Sequence, residues 1–365
     1  MCYTRPELVE AVIRYWKEKG AKNIYLFENS TQGNFTRMVF ALTGYSNICR
    51  RLGVKQIFLD EEKNVSFEFR GKKTEEGYYQ SSFLIPEFIV KRLIERKDEN
   101  LYINLPKLKT HSMAEVTLGV KNQWAFPQQK DRRADHNYNL PHKLADECII
   151  PFRALIGSKN VVAADMAGAK ILGIDAENIE HLKIAVERGY SGGVSSLDDI
   201  NLIGNISDFV KIYSSDLIPR FPDDVRIIRG KERLCREGCK NNPLTVLQTL
   251  YYDYGGKGGW TLLMGKGHSA QELDSIKGKV LIVGRCAIAE TGDLLIRRLG
   301  KKNVYFSGYC NDLCATLNAM CHLMKVSPLK LAPLPLFTSL KLLALAKLHG
   351  SQASIPHFLA NHIKT

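Results

Sequence analysis

The stretch Leu101–Asn122 (LYINLPKLKTHSMAEVTLGVKN) decides how the chain reads. Its first five residues, Leu101–Leu105, suit a short buried strand. They run without a break into Pro106-Lys107-Leu108-Lys109-Thr110-His111, and a second apolar run, Val116–Val120, ends in Lys121 and Asn122. Ligands of an open parallel sheet sit beyond the carboxyl ends of its strands. Basic groups placed there form an anion clamp. Lys107, Lys109 and His111 alternate, so they share one face of an extended chain. His111 titrates near neutrality and suits general acid or base work. The wider segment Pro106–Lys143 carries seven Lys or Arg and three His against three acids. The reading takes His111, Lys109 and Lys121 as catalytic. It takes Lys107, Thr110, Asn122, Lys130, His136 and Asp165 as substrate contacts. The bland alternative is a solvated basic loop.

Working outward, strand and helix patterns alternate. Thr4–Gly20 shows a helical stripe with Thr4 and Glu7 as a capping box. Strands are expected at Asn23–Phe27, Gln56–Leu59 and Val65–Arg70, and helices at Phe35–Leu42 and Pro86–Arg96. The block Val161–Ile174 (VVAADMAGAKILGI) reads as a strand, Val161–Ala164, turning into a helix. Asp165 at that strand end would bind a metal, orient a lysine or cap the helix. A helix near Asn178–Arg188 and a strand at Ile200–Ile203 follow. The expected fold is α/β, a mostly parallel doubly wound sheet with a smaller C-terminal cysteine-containing α/β unit. The expected divisions are residues 1–215, residues 216–330 and a basic, apolar helical tail at residues 331–365.

The chain has 365 residues, 45% of them hydrophobic, and a formal net charge of +13. That charge favours anionic partners. No aromatic-rich single-strand motif or reader module points to nucleic acid. No apolar run reaches the roughly 18 residues a membrane-spanning helix needs. Met1–Thr4 leads directly into a helix rather than a secretion signal, which gives the expectation of a cytoplasmic, reducing setting. There, nine cysteines read as buried thiols or metal ligands.

Six of these cysteines lie beyond Gly230. Cys286 follows the expected strand Val280–Gly284, and Cys310 follows Val304–Ser307. Both would lie at one edge of a parallel sheet. Cys235 and Cys239 occupy a turn able to fold over that edge. Cys235, Cys239, Cys286 and Cys310 would hold an iron–sulfur cluster of the 4Fe-4S type, or zinc as the alternative. Cys314 and Cys321 share one helix face and read as core. Such a protein would be an oxidoreductase or lyase acting on an anionic small molecule, served by a redox partner protein; the alternative is a zinc-binding or cluster-free protein that binds nucleotides or polyanions without redox chemistry. The tail, apolar nearly all round at Leu340–His349, reads as a helix packed across the domains, with a homodimer contact or anionic membrane as the alternative.

The blocks TRPELVEAVI, KEKGAKNIYLFE, FALTGY, PKLKTH, TLGVKN, VVAADMAGAKILGI and HLKIAVERG, spanning Thr4–Gly204, resemble the domain-of-unknown-function 362 family. The resemblance implies an α/β domain, often in proteins that bind iron–sulfur clusters. Members usually carry an extra strand before the threonine-arginine-proline block and a Gly-Pro-rich loop before the block reading VVAAD here. The spacing of KTH and GVK is also faintly similar to the lactate racemase nickel-pincer family.

Overall fold

The computed structural model describes residues 3–30, 34–68, 82–111, 114–128, 132, 158–203, 220–308, 313–331 and 335–353. These divide into two compact units. Unit 1 lies within Met1–Ala134, Asn139–Ser215 and Pro333–Ser354, and unit 2 within Asp216–Ala332.

Unit 1 opens with α1 (Pro6–Glu18), which buries Val9 and Ile13 along one stripe. Pro6 sits at its first turn, where a missing N–H costs nothing. Thr4 does not cap this helix: its hydroxyl donates to the Leu105 carbonyl at 2.5 Å. β1 (Tyr25–Glu28) pairs in parallel with β2 (Lys55–Phe58), Tyr25 opposite Lys55. Between them run α2 (Thr36–Thr43) and α3 (Tyr45–Leu52), broken apart at Gly44, whose φ of 82° suits glycine alone. Phe40, Ile48, Cys49 and Val54 join Val9 and Ile13 in the core beneath them.

β3 (Asn64–Glu68) and β4 (Ser82–Pro86) form an antiparallel pair. The chain then winds through α4 (Glu87–Ile89) into a π-helical turn, Val90–Glu95. A short hairpin follows, β5 (Lys109–His111) with β6 (Glu115–Thr117), running straight into α5 (Gly119–Gln123). α6 (Val161–Ile171) and α7 (Glu180–Glu187) pack Val162, Met166, Ala169 and Leu182 against Val116, Val120 and Trp124.

Four expectations need correction. Val161–Ala164 is not a strand but the first turn of α6. Asn160 caps it, its side-chain oxygen accepting from the Val162 and Ala163 amides at 3.0 and 3.2 Å. Of the run at 116–120 only Val116 and Thr117 are strand; Gly119 and Val120 already belong to α5. Residues 101–105 and 200–203 form no strand ladder. The expected α/β class holds, with the four-stranded parallel sheet in unit 2; a doubly wound arrangement is not confirmed among the described residues.

That sheet comprises β7 (Val225–Arg229), β8 (Trp260–Met264), β9 (Val280–Val283) and β10 (Val304–Phe306), in the order β10-β9-β8-β7. Its order never reverses. Alternation splits the strands between two cores. Leu262, Met264, Leu281 and Val283 meet Leu247 and Leu250 of α8 (Asn241–Tyr252) and Met320 of α11 (Leu313–Leu323). Leu263, Val280 and Ile282 meet Leu273 of α9 (Ala270–Asp274) and Leu295 of α10 (Arg285–Leu299). Both faces are thus covered by helices, so β8 and β9 read as continuous apolar runs.

The final helix, α12 (Leu336–Leu348), belongs to unit 1, where Ala346 and Leu343 pack on Phe35 and Met38. No described helix is long and apolar enough to cross a membrane. Ser351, just beyond α12, donates to the buried Asp60 carboxyl at 2.5 Å, and the Gln352 amide donates to the Asp60 carbonyl. The other Asp60 oxygen has no hydrogen-bond partner among the described residues. Ser351→Ala should therefore cost about 1–3 kcal/mol in urea unfolding, the penalty of stranding a buried acceptor.

Candidate functional site

In unit 1 the predicted basic residues fall into two groups. On the β5–β6 hairpin, Lys109 stands opposite Thr117, Thr110 opposite Val116, and His111 opposite Glu115. The His111 Nδ1 accepts from the Ala114 amide at 3.1 Å, so a neutral ring carries its proton on Nε2. Lys109 acts on Glu28 at the carboxyl end of β1. Burial pushes the Glu28 carboxyl up, while the Asn29 amide, Arg132 and Lys109 pull it back. Arg132 is itself buried and donates to the Ser30 carbonyl at 3.0 Å. Tyr45, donating to the Thr4 carbonyl at 2.6 Å, has its phenol raised by burial and by the neighbouring Glu28.

The second group surrounds α5. Asp165 accepts from the Gly119 and Val120 amides at 2.6 and 2.8 Å. It thereby caps a helix remote from its own, α5 rather than α6. Burial lifts its carboxyl to about 7, against the pull of those two amides. Asn104, from the extended residues 101–105, donates to the Gly119 carbonyl at 2.9 Å and accepts from Asn122 at 2.6 Å. Lys121, on the same short helix, lies near His181 of α7. Burial first, then Lys121, depresses that imidazole to about 3. The His181 Nε2 is buried with no hydrogen-bond partner among the described residues.

Lys109 thus joins Glu28 and Arg132, while Lys121, Asn122 and Asp165 join Asn104 and His181. Lys107 is exposed. Lys130 and His136 lie outside the described residues. The sequence reading missed Glu28, Asn104 and His181. Glu28 ends an apolar strand, the same signal that singled out the lysines.

In unit 2, Cys286 occupies the first turn of α10, two residues past Gly284 at the end of β9. Cys239 reaches the same place. A Cβ built on Gly284 would lie 2.4 Å from the Cys239 sulfur. Gly284, at φ 92°, is therefore a cradle that only glycine can form. Cys235 precedes the π-helical turn Arg236–Lys240 that delivers Cys239. The loops after β7 and β8 are zipped together, Lys266 and Arg233 exchanging main-chain bonds of 2.8 and 3.2 Å. Lys266 has its ammonium raised by Glu232 first, then by Glu290 and Cys286. Glu290 also accepts from the Gly267 and His268 amides and meets His268 Nδ1 at 2.9 Å. Lys266, His268 and Glu290 went unread in the sequence, although they too follow a strand end.

This donor set suits a soft metal in kind, thiolates on glycine-containing loops at one sheet edge. Among the described residues no three His, Cys, Asp or Glu lie close enough to hold a metal ion, and Cys310 lies outside them.

The model of the family described as Domain of unknown function (DUF362) matches residues 1–150. The match supports the resemblance read from the KLKTH and TLGVKN blocks. The block at residues 161–174 and Asp216–Ala332 of unit 2 lie beyond the match. The chain is also similar to the Thylakoid-associated protein sll1697 of Synechocystis sp., with 31% identity over 121 residues. That match covers 33% of this chain and 32% of the relative, so the chain spans about a third of the protein it resembles. No solved structure matches.

The His181 environment gives a pH prediction. An imidazole held near 3 in the fold titrates at about 6.5 when unfolded, so the unfolded state binds more protons in between. Stability contributed above pH 6.5 is lost as pH falls. From pH 6.5 to 5 the wild type should lose about 2 kcal/mol more than His181→Gln in urea midpoint measurements.

Proposed function

We propose that this chain is an iron–sulfur-binding protein of redox or lyase type, acting on an anionic small molecule. The observation that carries the reading is the Cys239 sulfur seated against Gly284, two residues ahead of Cys286. A bulkier residue than glycine would push the sulfur away from the strand end, so the chain keeps that space for it. Cys235, Cys239, Cys286 and Cys310 are the ligands in this reading. A bound cluster supplies one-electron transfer or a Lewis-acidic iron. Lys266 beside Cys286 offsets thiolate charge, and Glu290 with His268 holds the loop that carries Lys266.

In unit 1, Lys109 and Lys121 supply cationic contacts for an anionic substrate. His111, its Nδ1 accepting from the Ala114 amide, serves the reaction through Nε2–H as a neutral hydrogen-bond donor to the substrate. Asn122 is oriented by Asn104 and adds a neutral donor. The anion is a small carboxylate or phosphate rather than nucleic acid, and electrons would pass through a carrier protein.

Anaerobic purification should give a brown protein with iron and sulfide in equal amounts, and Cys239→Ser should lose most of both. Zinc in place of iron, or a metal-free colourless preparation, overturns the reading. Lys109→Gln should weaken binding of inorganic phosphate or a dicarboxylate at least tenfold by calorimetry. Undiminished affinity removes the anion site.

A further inference from the structure

One open edge in unit 1 is used by neither site. β1 pairs with β2 on one side only. The Ile24 and Glu28 carbonyls accept from the Lys55 and Leu59 amides at 3.1 and 3.0 Å. In a parallel ladder a residue's N–H and C=O point to the same side, alternating along the strand. Ile24, Leu26 and Glu28 therefore face β2, and the main-chain groups of Tyr25 and Phe27 face away from it. No described residue hydrogen-bonds to them there.

They face a cavity of ≈ 620 Å³. One wall is every residue from 19 to 27 in succession; another is residues 99–103 with Leu105; α1 lines it through Val9, Val12, Ile13 and Trp16. Unbroken runs of lining residues mean that the main chain itself forms these walls, since side chains alone would line it alternately. Its rim carries Lys19, Lys22, Arg92 and Arg96 against Glu99 alone, which pairs with Arg96.

We propose that this slot binds an extended peptide strand from another polypeptide, apolar at alternate residues and flanked by acidic ones. The main-chain donors and acceptors at Tyr25 and Phe27, unmet among the described residues, recur every second residue, a repeat of about 6.6 Å that a peptide backbone matches and an alkyl chain does not. Strand addition completes the edge of β1, apolar side chains settle on α1, and the acidic flank meets Lys19, Lys22 and Arg92. The proposal stands on main-chain accounting and is independent of the anion and metal sites.

The test uses the full chain and a soluble seven-residue peptide of alternating valine and threonine ending in two aspartates. Peptide should change Trp16 fluorescence saturably and slow hydrogen exchange at the Tyr25 and Phe27 amides at least tenfold. Val12→Trp, which fills the slot, should abolish both effects, and Lys22→Glu should weaken binding at least fivefold. A fusion carrying the seven residues ahead of Met1 on a glycine–serine linker should protect the same two amides, even where the free peptide self-associates. Unchanged exchange in both peptide and fusion overturns the proposal. So does binding of dodecanoate but not of peptide, or protection of these amides by dimerisation alone.

Discussion

The carboxyl of Asp165 holds two amides at the start of a five-residue helix, and unit 1 depends on that contact. A helix that short has no stability of its own, because its first turn costs more order than its few bonds return. Asp165 supplies from α6 the acceptor that α5 lacks. Lys121 and Asn122 thereby acquire fixed positions, and Asn104 and His181 are arranged around them. Complete burial raises this carboxyl to about 7 even against those two amides.

Unit 2 rests on a different constraint. Its four strands point one way, so their following loops gather at one edge, and close approach there is set by glycine. Gly230 touches the Lys266 main chain, Gly265 the Arg233 carbonyl, and Gly284 the Cys239 sulfur; an added Cβ would clash at each. Three contacts at consecutive strand ends draw the cysteine-bearing turn down onto the sheet.

Much of this was legible in the sequence. The continuous apolar run at residues 280–283 identifies a buried strand, whereas the strands at residues 225–229 and 260–264 went unread. The helical stripe after Pro6 and the glycine stops are equally plain. Short apolar runs misled where strand and helix patterns coincide. Residues 161–164 look like a strand, yet Asn160 just ahead is a helix cap, and that polar residue was the better signal. Asp165 then appeared to end a strand, whereas it reaches across to another helix. His181 and Asn104 escaped notice because nothing local marks them. Their roles come from Lys121 and Gly119, brought near only by the fold.

The last helix has a consequence for how the polypeptide is made. Asp60 and Ser351 are 291 residues apart in sequence and bonded in the same unit. Unit 1 is discontinuous, with Asp216–Ala332 of unit 2 spelled out between its pieces. A ribosome therefore delivers that stretch before it delivers the segment that closes unit 1. Loop-closure entropy rises only slowly with such a span, so the finished contact loses little by it. Timing is what changes: unit 1 waits, with the Phe35 pocket bare, while its neighbour is already free to fold. Chaperone need and vulnerability to nascent-chain proteolysis should concentrate on the first half of the chain rather than the last.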